Sequence, residues 1–348
     1  MTERGAPSGL TYRDAGVDRE TAGRAKREIL EVVRRTAGPN VLSTPGGFGG
    51  LFRVPPGFRR PVMVASADGV GTKLKVAMRA NRHDTVGTDL VNHCVNDILC
   101  EGAHPLYFLD YIGMGRLEAG TVERIVAGIA AGCRENECAL LGGETAEMPD
   151  FYEPGEYDLA GFIVGMVEED GRPGPDRVRE GDALIGIASA GFHTNGYSLL
   201  RRLLFHDLRL DVDDPFPGLD ATVADVLLRV HRSYRPALLP LVDAGRIHAL
   251  AHITGGGIPE NLERALPEGL RATVERSSWT PPPEFRFVMQ RGRVERAEMY
   301  RTFNMGIGMI AVVAAEDEAD VRLRLIDAGE TVWTIGSVDA GERGVVMR

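Results

Sequence analysis

Val62-Met63-Val64-Ala65-Ser66-Ala67-Asp68-Gly69-Val70-Gly71-Thr72-Lys73 is the stretch on which the reading of this chain turns. Val62–Ala65 is a short apolar strand. An acid, two glycines and a lysine follow it directly. Asp68 at a strand end can ligate a hard cation through oxygen. Gly69 and Gly71 free backbone amides for close approach to an anion, Thr72 stands between them and the lysine, and Lys73 adds positive charge. The assembly suits a metal-bound polyphosphate. It is not a Walker A loop, because GxxxxGK[ST] is absent. The plainer reading of the same letters is a turn with an exposed lysine.

The pattern of strand, Gly-bearing loop and helix repeats outward from there. A helix is expected over 18–36, ended by Gly38-Pro39, and a Gly-rich loop over 43–50. Helices follow over Asp84–Glu101 and Ala119–Asn136, with strands at Leu106–Ile112, Ala139–Leu141 and Leu159–Val167. Glu168–Glu180 is rich in Gly, Pro and charge and reads as a linker. The pattern restarts with a strand at Ala183–Ala188, a loop at Gly191–Gly196 and a helix at Tyr197–Phe205. Val223–Ala244 reads as helix, broken or kinked by Pro236 and Pro240. Strands at His248–Ile253, Leu270–Val274, Asn304–Val313 and Thr331–Val338 alternate with helices at Pro259–Leu266 and Ala319–Ala328. The expected class is α/β or α+β, in two domains, 1–170 and 171–348.

Composition narrows the function. Hydrophobic residues at 43% and charged residues at 26% are ordinary for a soluble globular chain. A net charge of −10 argues against a nucleic-acid partner. Glycine, 43 of 348 residues, is well above the usual ~7% and is clustered. The four cysteines show no CxxC or zinc-site spacing and read as idle thiols of a reducing compartment. No apolar stretch reaches the length of a membrane span, so a cytoplasmic protein is expected.

Five further constellations carry candidate chemistry. On the helix from Asp84, the residues Asp89, His93, Asn96 and Asp97 form one polar stripe opposite Val86, Leu90, Val91, Val95, Ile98 and Leu99. It is read either as a solvated face or as contacts for a metal or substrate, with Asp97 the best placed. Gly142-Gly143-Glu144 follows a strand; Glu144 binds magnesium or a ribose hydroxyl, or merely opens a helix. Ser189–Gly196 precedes a helix and has phosphate-cradle character, with His193 and Asn195 as donor and acceptor. His252–Asn261 places Gly255, Gly256 and Gly257 ahead of Pro259 at a helix start. Gly46-Gly47-Phe48-Gly49-Gly50 fails the GxGxxG dinucleotide pattern and is read as a lid over a nucleotide or as a loose loop.

Taken in order, these strings resemble the phosphoribosylformylglycinamidine cyclo-ligase (aminoimidazole ribonucleotide synthetase) family over nearly the whole chain. The resemblance begins at Tyr12–Asp18 and passes through Asp68–Lys73, Val95-Asn96-Asp97, Phe108–Tyr111 and Gly142–Met148. It ends with His193–Leu199, His252–Gly257 and Met299–Asn304. It implies a homodimer whose N-terminal sheets pair across the dimer, with ATP bound near that junction and a C-terminal α/β domain. It implies ATP-dependent ring closure of formylglycinamidine ribonucleotide through a phosphorylated formyl oxygen. Carried onto this chain, Asp68, Asp97, Asp110 and Glu144 hold Mg2+. Lys73, Asp97 and His193 are catalytic, with His193 the proton acceptor. Gly46, Gly47, Gly49, Asp68, Gly69, Gly71, Thr72, Lys73, Gly142, Gly143 and Glu144 bind ATP. His193, Thr194, Asn195, Gly196, Gly255, Gly256 and Gly257 bind substrate.

Three positions depart from the family pattern. Ala67 stands for Thr, Ser43-Thr44-Pro45 for a Gly-richer loop start, and Val230-His231 for Pro-Thr. Selenophosphate synthetases, hydrogenase-maturation proteins and thiamine-monophosphate kinases are the neighbouring readings within the superfamily. A non-catalytic nucleotide sensor is the reading from another class.

Overall fold

The computed structural model describes residues 29–43 and 46–348. Of the helix expected over 18–36, only its last turns over 29–34 fall within that range, and the segment Tyr12–Asp18 lies outside the described residues.

The first half runs β1 (Pro61–Gly69), α1 (Lys73–Ala80), α2 (Asp84–Cys100), β2 (His104–Met114), α3 (Ala119–Glu135), β3 (Ala139–Glu147) and β4 (Tyr157–Glu168). Its sheet has the order β1-β4-β2-β3. β4 pairs antiparallel with β1 and β2, and β2 pairs parallel with β3 through the α3 crossover. α2 and α3 cross tightly on one face of this sheet. A Cβ on Gly128 would lie 1.9 Å from the Asp84 carbonyl oxygen, and one on Gly87 would lie 2.2 Å from that of Ile125. Only glycine lets the two backbones come so close.

The second half runs β5 (Ala183–Ala188), α4 (Tyr197–Arg201), α5 (Val223–Leu227), α6 (Arg235–Asp243), β6 (Ala249–His252) and α7 (Gly257–Arg264). It continues with β7 (Leu270–Val274), α8 (Pro283–Arg291), α9 (Arg296–Thr302), β8 (Ile307–Val313), α10 (Glu318–Asp327), β9 (Val332–Ala340) and β10 (Gly344–Met347). Its six strands lie in the order β10-β7-β9-β5-β8-β6. All seven residues of β8 are buried, as a continuous apolar run in a covered sheet should be. Leu99, near the end of α2, sits in the same apolar cluster as Ile185, Leu238 and Val313, so α2 belongs to both halves.

The mixed α/β class is as expected, but several boundaries move. β1 extends to Gly69, so Ser66 and Asp68 lie inside the strand and, by its period of two, on one face. β3 runs on to Glu147, so Gly142–Glu144 is strand and opens no helix. Pairing along β2 overrides the poor strand propensity of its glycines. Val223–Ala244 is not one helix: α5 stops at Leu227 and α6 starts only at Arg235, leaving an irregular segment over 228–234. The helix from Tyr197 turns into a π-helix at Arg202.

Candidate active site

The irregular segment over 229–234 is where the two halves meet. Several of its buried backbone groups are satisfied by side chains of α1 and α2. Lys73 Nζ donates to the carbonyls of His193 (3.1 Å) and Arg229 (2.7 Å). The His231 N–H donates to Asp89 at 2.7 Å, and Asn92 donates to the His231 carbonyl at 2.8 Å. Asn96 donates to the Arg232 carbonyl at 2.8 Å and accepts from the Tyr234 N–H at 3.0 Å.

Beside this seam, four histidines from four separate segments come together. His193 and His231 stack with ring centroids 3.9 Å apart. His93 lies 5.1 Å from His231 and 5.2 Å from His252. Asp68 and Asp97 flank the group, their side chains about a third exposed (37% and 32%). Asp68 bonds His93 Nε2 at 2.8 Å, and Asp97 bonds His252 Nδ1 at 2.8 Å. Between them, His93 Nδ1 meets the Thr194 hydroxyl (3.0 Å), which meets His231 Nδ1 (3.5 Å), and His231 Nε2 meets His252 Nε2 (2.9 Å). A single row of hydrogen bonds therefore joins the two carboxylates.

The loops 193–196 and 255–257, expected to cradle phosphate, lie beside this row. Asn195 Oδ1 lies 3.5 Å from where a Cβ of Gly255 would be. Gly196 and Gly256 have φ of +76° and +90° and start α4 and α7. Thr72 and Ser198 face each other, hydroxyl to hydroxyl, at 3.3 Å. A cavity of about 260 Å³ reaches Asp97 and His252 from the side of Thr254, Asn261 and Arg264. A wider hollow of about 510 Å³ beside Ser198 is lined by Arg79, Arg201 and Arg202.

The description "AIR synthase related protein, N-terminal domain" matches residues 57–167, and its C-terminal counterpart matches 179–348. The chain belongs to the AIR synthase related family. Among its relatives, the phosphoribosylformylglycinamidine cyclo-ligase of Anaeromyxobacter dehalogenans is 52% identical, over 96% of this chain and 97% of the relative. That of Alkaliphilus metalliredigens is 49% identical, over 97% and 98%. Among solved structures, thiamine-monophosphate kinase from Stenotrophomonas maltophilia superposes with a TM-score of 0.70 at 18% identity, covering 92% of this chain and 95% of that one. The hydrogenase maturation protein HypE in complex with ATP gives 0.67 at 19%, covering 96% and 93%. These two share the fold.

Within this family frame, the structure sorts the expected site residues into groups. Asp68 and Asp97 come together at the histidine row. Ser66, two residues before Asp68 on the same face of β1, donates to Asp97 at 3.0 Å. Asp110 lies on that face as well, because Asp68 and Asp110 both register with Gly161 on β4. Two strand spacings, roughly 10 Å, separate it from Asp68. Gly143 registers with Asp110, while Glu144 points to the opposite face and is exposed. One ion held by all four carboxylates is therefore excluded in this chain by strand alternation. Glu144, Gly142 and the loop of Gly46, Gly47 and Gly49 lie apart from the row. That loop is carried by the Val41–Phe52 bridge, with Phe52 packed 5.2 Å from Tyr107 on β2.

Two catalytic expectations change. Lys73 is wholly buried and ion-paired with Asp89 at 2.8 Å, so it faces the seam and presents no charge to a phosphate. Burial lowers the lysine and raises the aspartate, and their mutual attraction opposes both shifts. His193 is 1% exposed. Its Nε2 already accepts from the Ala190 N–H at 3.1 Å, which fixes the neutral Nδ1–H tautomer, and Nδ1 has no partner among the described residues. Burial and then the neighbouring cations push this ring well below the usual histidine range. It is poorly placed as a proton acceptor. On the stripe of α2, Asp89 and Asn96 hold the other half of the chain and make no outward contact.

The remaining rings shift in different directions. Burial lowers His231 and His252. Burial also presses on His93, but its bond to Asp68 and the charges of Asp68, Asp97 and Asp89 outweigh it and raise the ring. At Asp97, burial is overcome by His252, His93 and Ser66, which hold the carboxyl below its ordinary range. The histidine row escaped sequence reasoning because its members lie far apart in the chain. The available signals were His93 on the α2 stripe and the departure at His231.

Proposed function

We propose that this chain is an ATP-dependent cyclo-ligase that closes formylglycinamidine ribonucleotide to 5-aminoimidazole ribonucleotide, releasing ADP and phosphate. The observation that carries this reading is about 50% identity to phosphoribosylformylglycinamidine cyclo-ligases over nearly the full length of both chains. An amide-like oxygen is a poor leaving group and its phosphate ester a good one. Catalysis then consists of neutralising the transferring phosphoryl group and holding two parts of one substrate together.

Asp68 and Asp97 fit a magnesium ion: both are oxygen donors and partly exposed, and each oxygen makes a single protein hydrogen bond, leaving lone pairs free. When bound, magnesium offsets the charge of the polyphosphate. The chain's own residues do the rest. His93 and His252 orient the two carboxylates. The amides of loops 193–196 and 255–257 hold phosphate at the starts of α4 and α7. The arginines beside Ser198 add positive charge. Lys73 and His193 are positioning residues for the 193–196 loop, the first through the His193 carbonyl and the second through its ring. The Gly46–Gly49 loop, Gly142 and Glu144 belong to the ATP subsite on the outer face of the sheet.

That outer face also supports the homodimer. Met63 (52% exposed) on β1 and Phe162 (44%) on β4 leave an apolar sheet face uncovered among the described residues, and β1 and β3 are sheet edges. Pairing of two such sheets buries it. Sedimentation equilibrium should give a dimer, and Phe162→Glu should give a monomer. The function itself is tested by ADP release from ATP with purified chain. Release that depends on formylglycinamidine ribonucleotide, with the aminoimidazole product appearing in equal amount, is expected. ADP release indifferent to that substrate would sink the reading.

A further inference from the structure

The histidine row also contains a ligand set of a kind that magnesium does not favour. His93, Asp97 and His252 each offer one ligand atom, and the three atoms lie within 4.8 Å of one another. Two imidazoles and a carboxylate suit borderline divalent ions such as zinc, cobalt and nickel. Ligands on a tetrahedral ion at about 2.0–2.1 Å stand roughly 3.3 Å apart, which small side-chain rotations reach from here. Every member also hydrogen-bonds a neighbour: Asp68 on His93, His231 on His252 and Ser66 on Asp97. Such outer hydrogen bonds are what fix metal-binding side chains.

One further observation points the same way. The cavity of about 260 Å³ is lined by Asp97 and His252 and gives an ion a way in.

We propose that His93, Asp97 and His252 form a binding site for one borderline divalent cation, Zn2+, Co2+ or Ni2+, that ties α2 to β6 across the seam between the halves. The site shares Asp97 with the magnesium position, so an ion here displaces magnesium and blocks ring closure. Binding itself is read without nucleotide or substrate, and so it is decided separately from the cyclo-ligase reading.

Metal-free full-length chain is titrated with Co2+, following its visible absorption and, by equilibrium dialysis, its stoichiometry. One Co2+ per chain, displaced by Zn2+ and accompanied by a higher melting temperature, is expected. His93→Met keeps the bulk of the ring and removes one ligand; it should weaken binding at least 10-fold. Asp97→Asn should do the same if His93→Met fails to fold by far-UV circular dichroism. His206→Ala, at an exposed histidine far along the π-helix, should leave binding unchanged. Absence of stoichiometric Co2+ binding, or binding that survives both His93→Met and Asp97→Asn, would overturn the proposal.

Discussion

Lys73 and Asp89 show how far a single residue's role can lie from its motif. In the string Asp68–Lys73 the lysine looks like a phosphate ligand; in the fold its charged partner Asp89 and both of its carbonyl contacts lie in the seam. Lys73→Met leaves Asp89 charged, buried and paired only with the His231 N–H. Removing one member of a buried pair typically costs about 3–5 kcal/mol. Urea denaturation of Lys73→Met should show a loss of that order, and a change under about 1 kcal/mol would mean that the pair does not form in solution. Asp110 gives a pH signature at the same scale. Burial lifts its carboxyl to about 7, against 3.8 ordinarily. Between those values the folded chain binds the proton and the unfolded chain does not, so this group's contribution to stability falls as pH rises through the window. The slope is at most about 1.4 kcal/mol per pH unit. Urea midpoints of wild type and Asp110→Asn, compared at pH 4.5 and 7.5, should converge at the acid end and favour the variant at the other. Parallel shifts would contradict the assignment.

α2 is the element that organises the site, and its sequence carries most of that information. The apolar stripe from Val86 to Leu99 and the polar stripe from Asp89 to Asp97 are visible as spacing. What the polar stripe faces is not, because a buried interface and a solvated face use the same letters until the partner is known. The segment that covers it, over 229–234, looks helical from composition. It is irregular because side chains of α2 satisfy its backbone and no helix is needed to do so. β1 and β3 were legible as strands but not in length, since Asp68 and Gly142–Glu144 have weak strand propensity and are held by their neighbours' register. The position of α2 rests on its glycine crossing with α3. Gly128→Ala sets a methyl against the Asp84 carbonyl, where 1.9 Å is available. Overpacking of this kind usually costs about 1–3 kcal/mol, and here backbone must move. The variant should melt at lower temperature. It should also lose turnover by more than its loss of folded protein explains, because α2 carries His93 and Asp97 together. A Gly128→Ala chain with unchanged melting temperature and turnover would show that the crossing is looser than described.

At the scale of the whole molecule, the two sheets were expected as separate domains joined by a linker over 168–180. The chain uses that linker, yet its halves are also bound through a seam of polar contacts, beside the apolar contacts of Leu99. Asn92 reaches further, accepting from Asn136 at 2.7 Å, while Asn136 accepts from Ser233 at 2.6 Å. Matched polar contacts fix a unique geometry, where an apolar interface would allow sliding. The seam therefore sets the distance between Asp68 and Asp97 on one side and the loops 193–196 and 255–257 on the other. Ring closure depends on that distance, since a shift of about 1 Å at a reacting centre can cost two orders of magnitude in rate. Asn96 is the sharpest probe, because one side chain satisfies two backbone groups, at Arg232 and Tyr234, and touches no proposed ligand directly. Asn96→Ala strands both groups, each at about 1–3 kcal/mol. If the seam couples the halves, calorimetry of the wild type gives one unfolding transition and Asn96→Ala resolves two, the lower belonging to the half with the weaker core. The same variant should lower kcat for ring closure while ATP still binds, because the N-terminal sheet remains intact. Two transitions already present in the wild type would mean that the halves are coupled only by their linker.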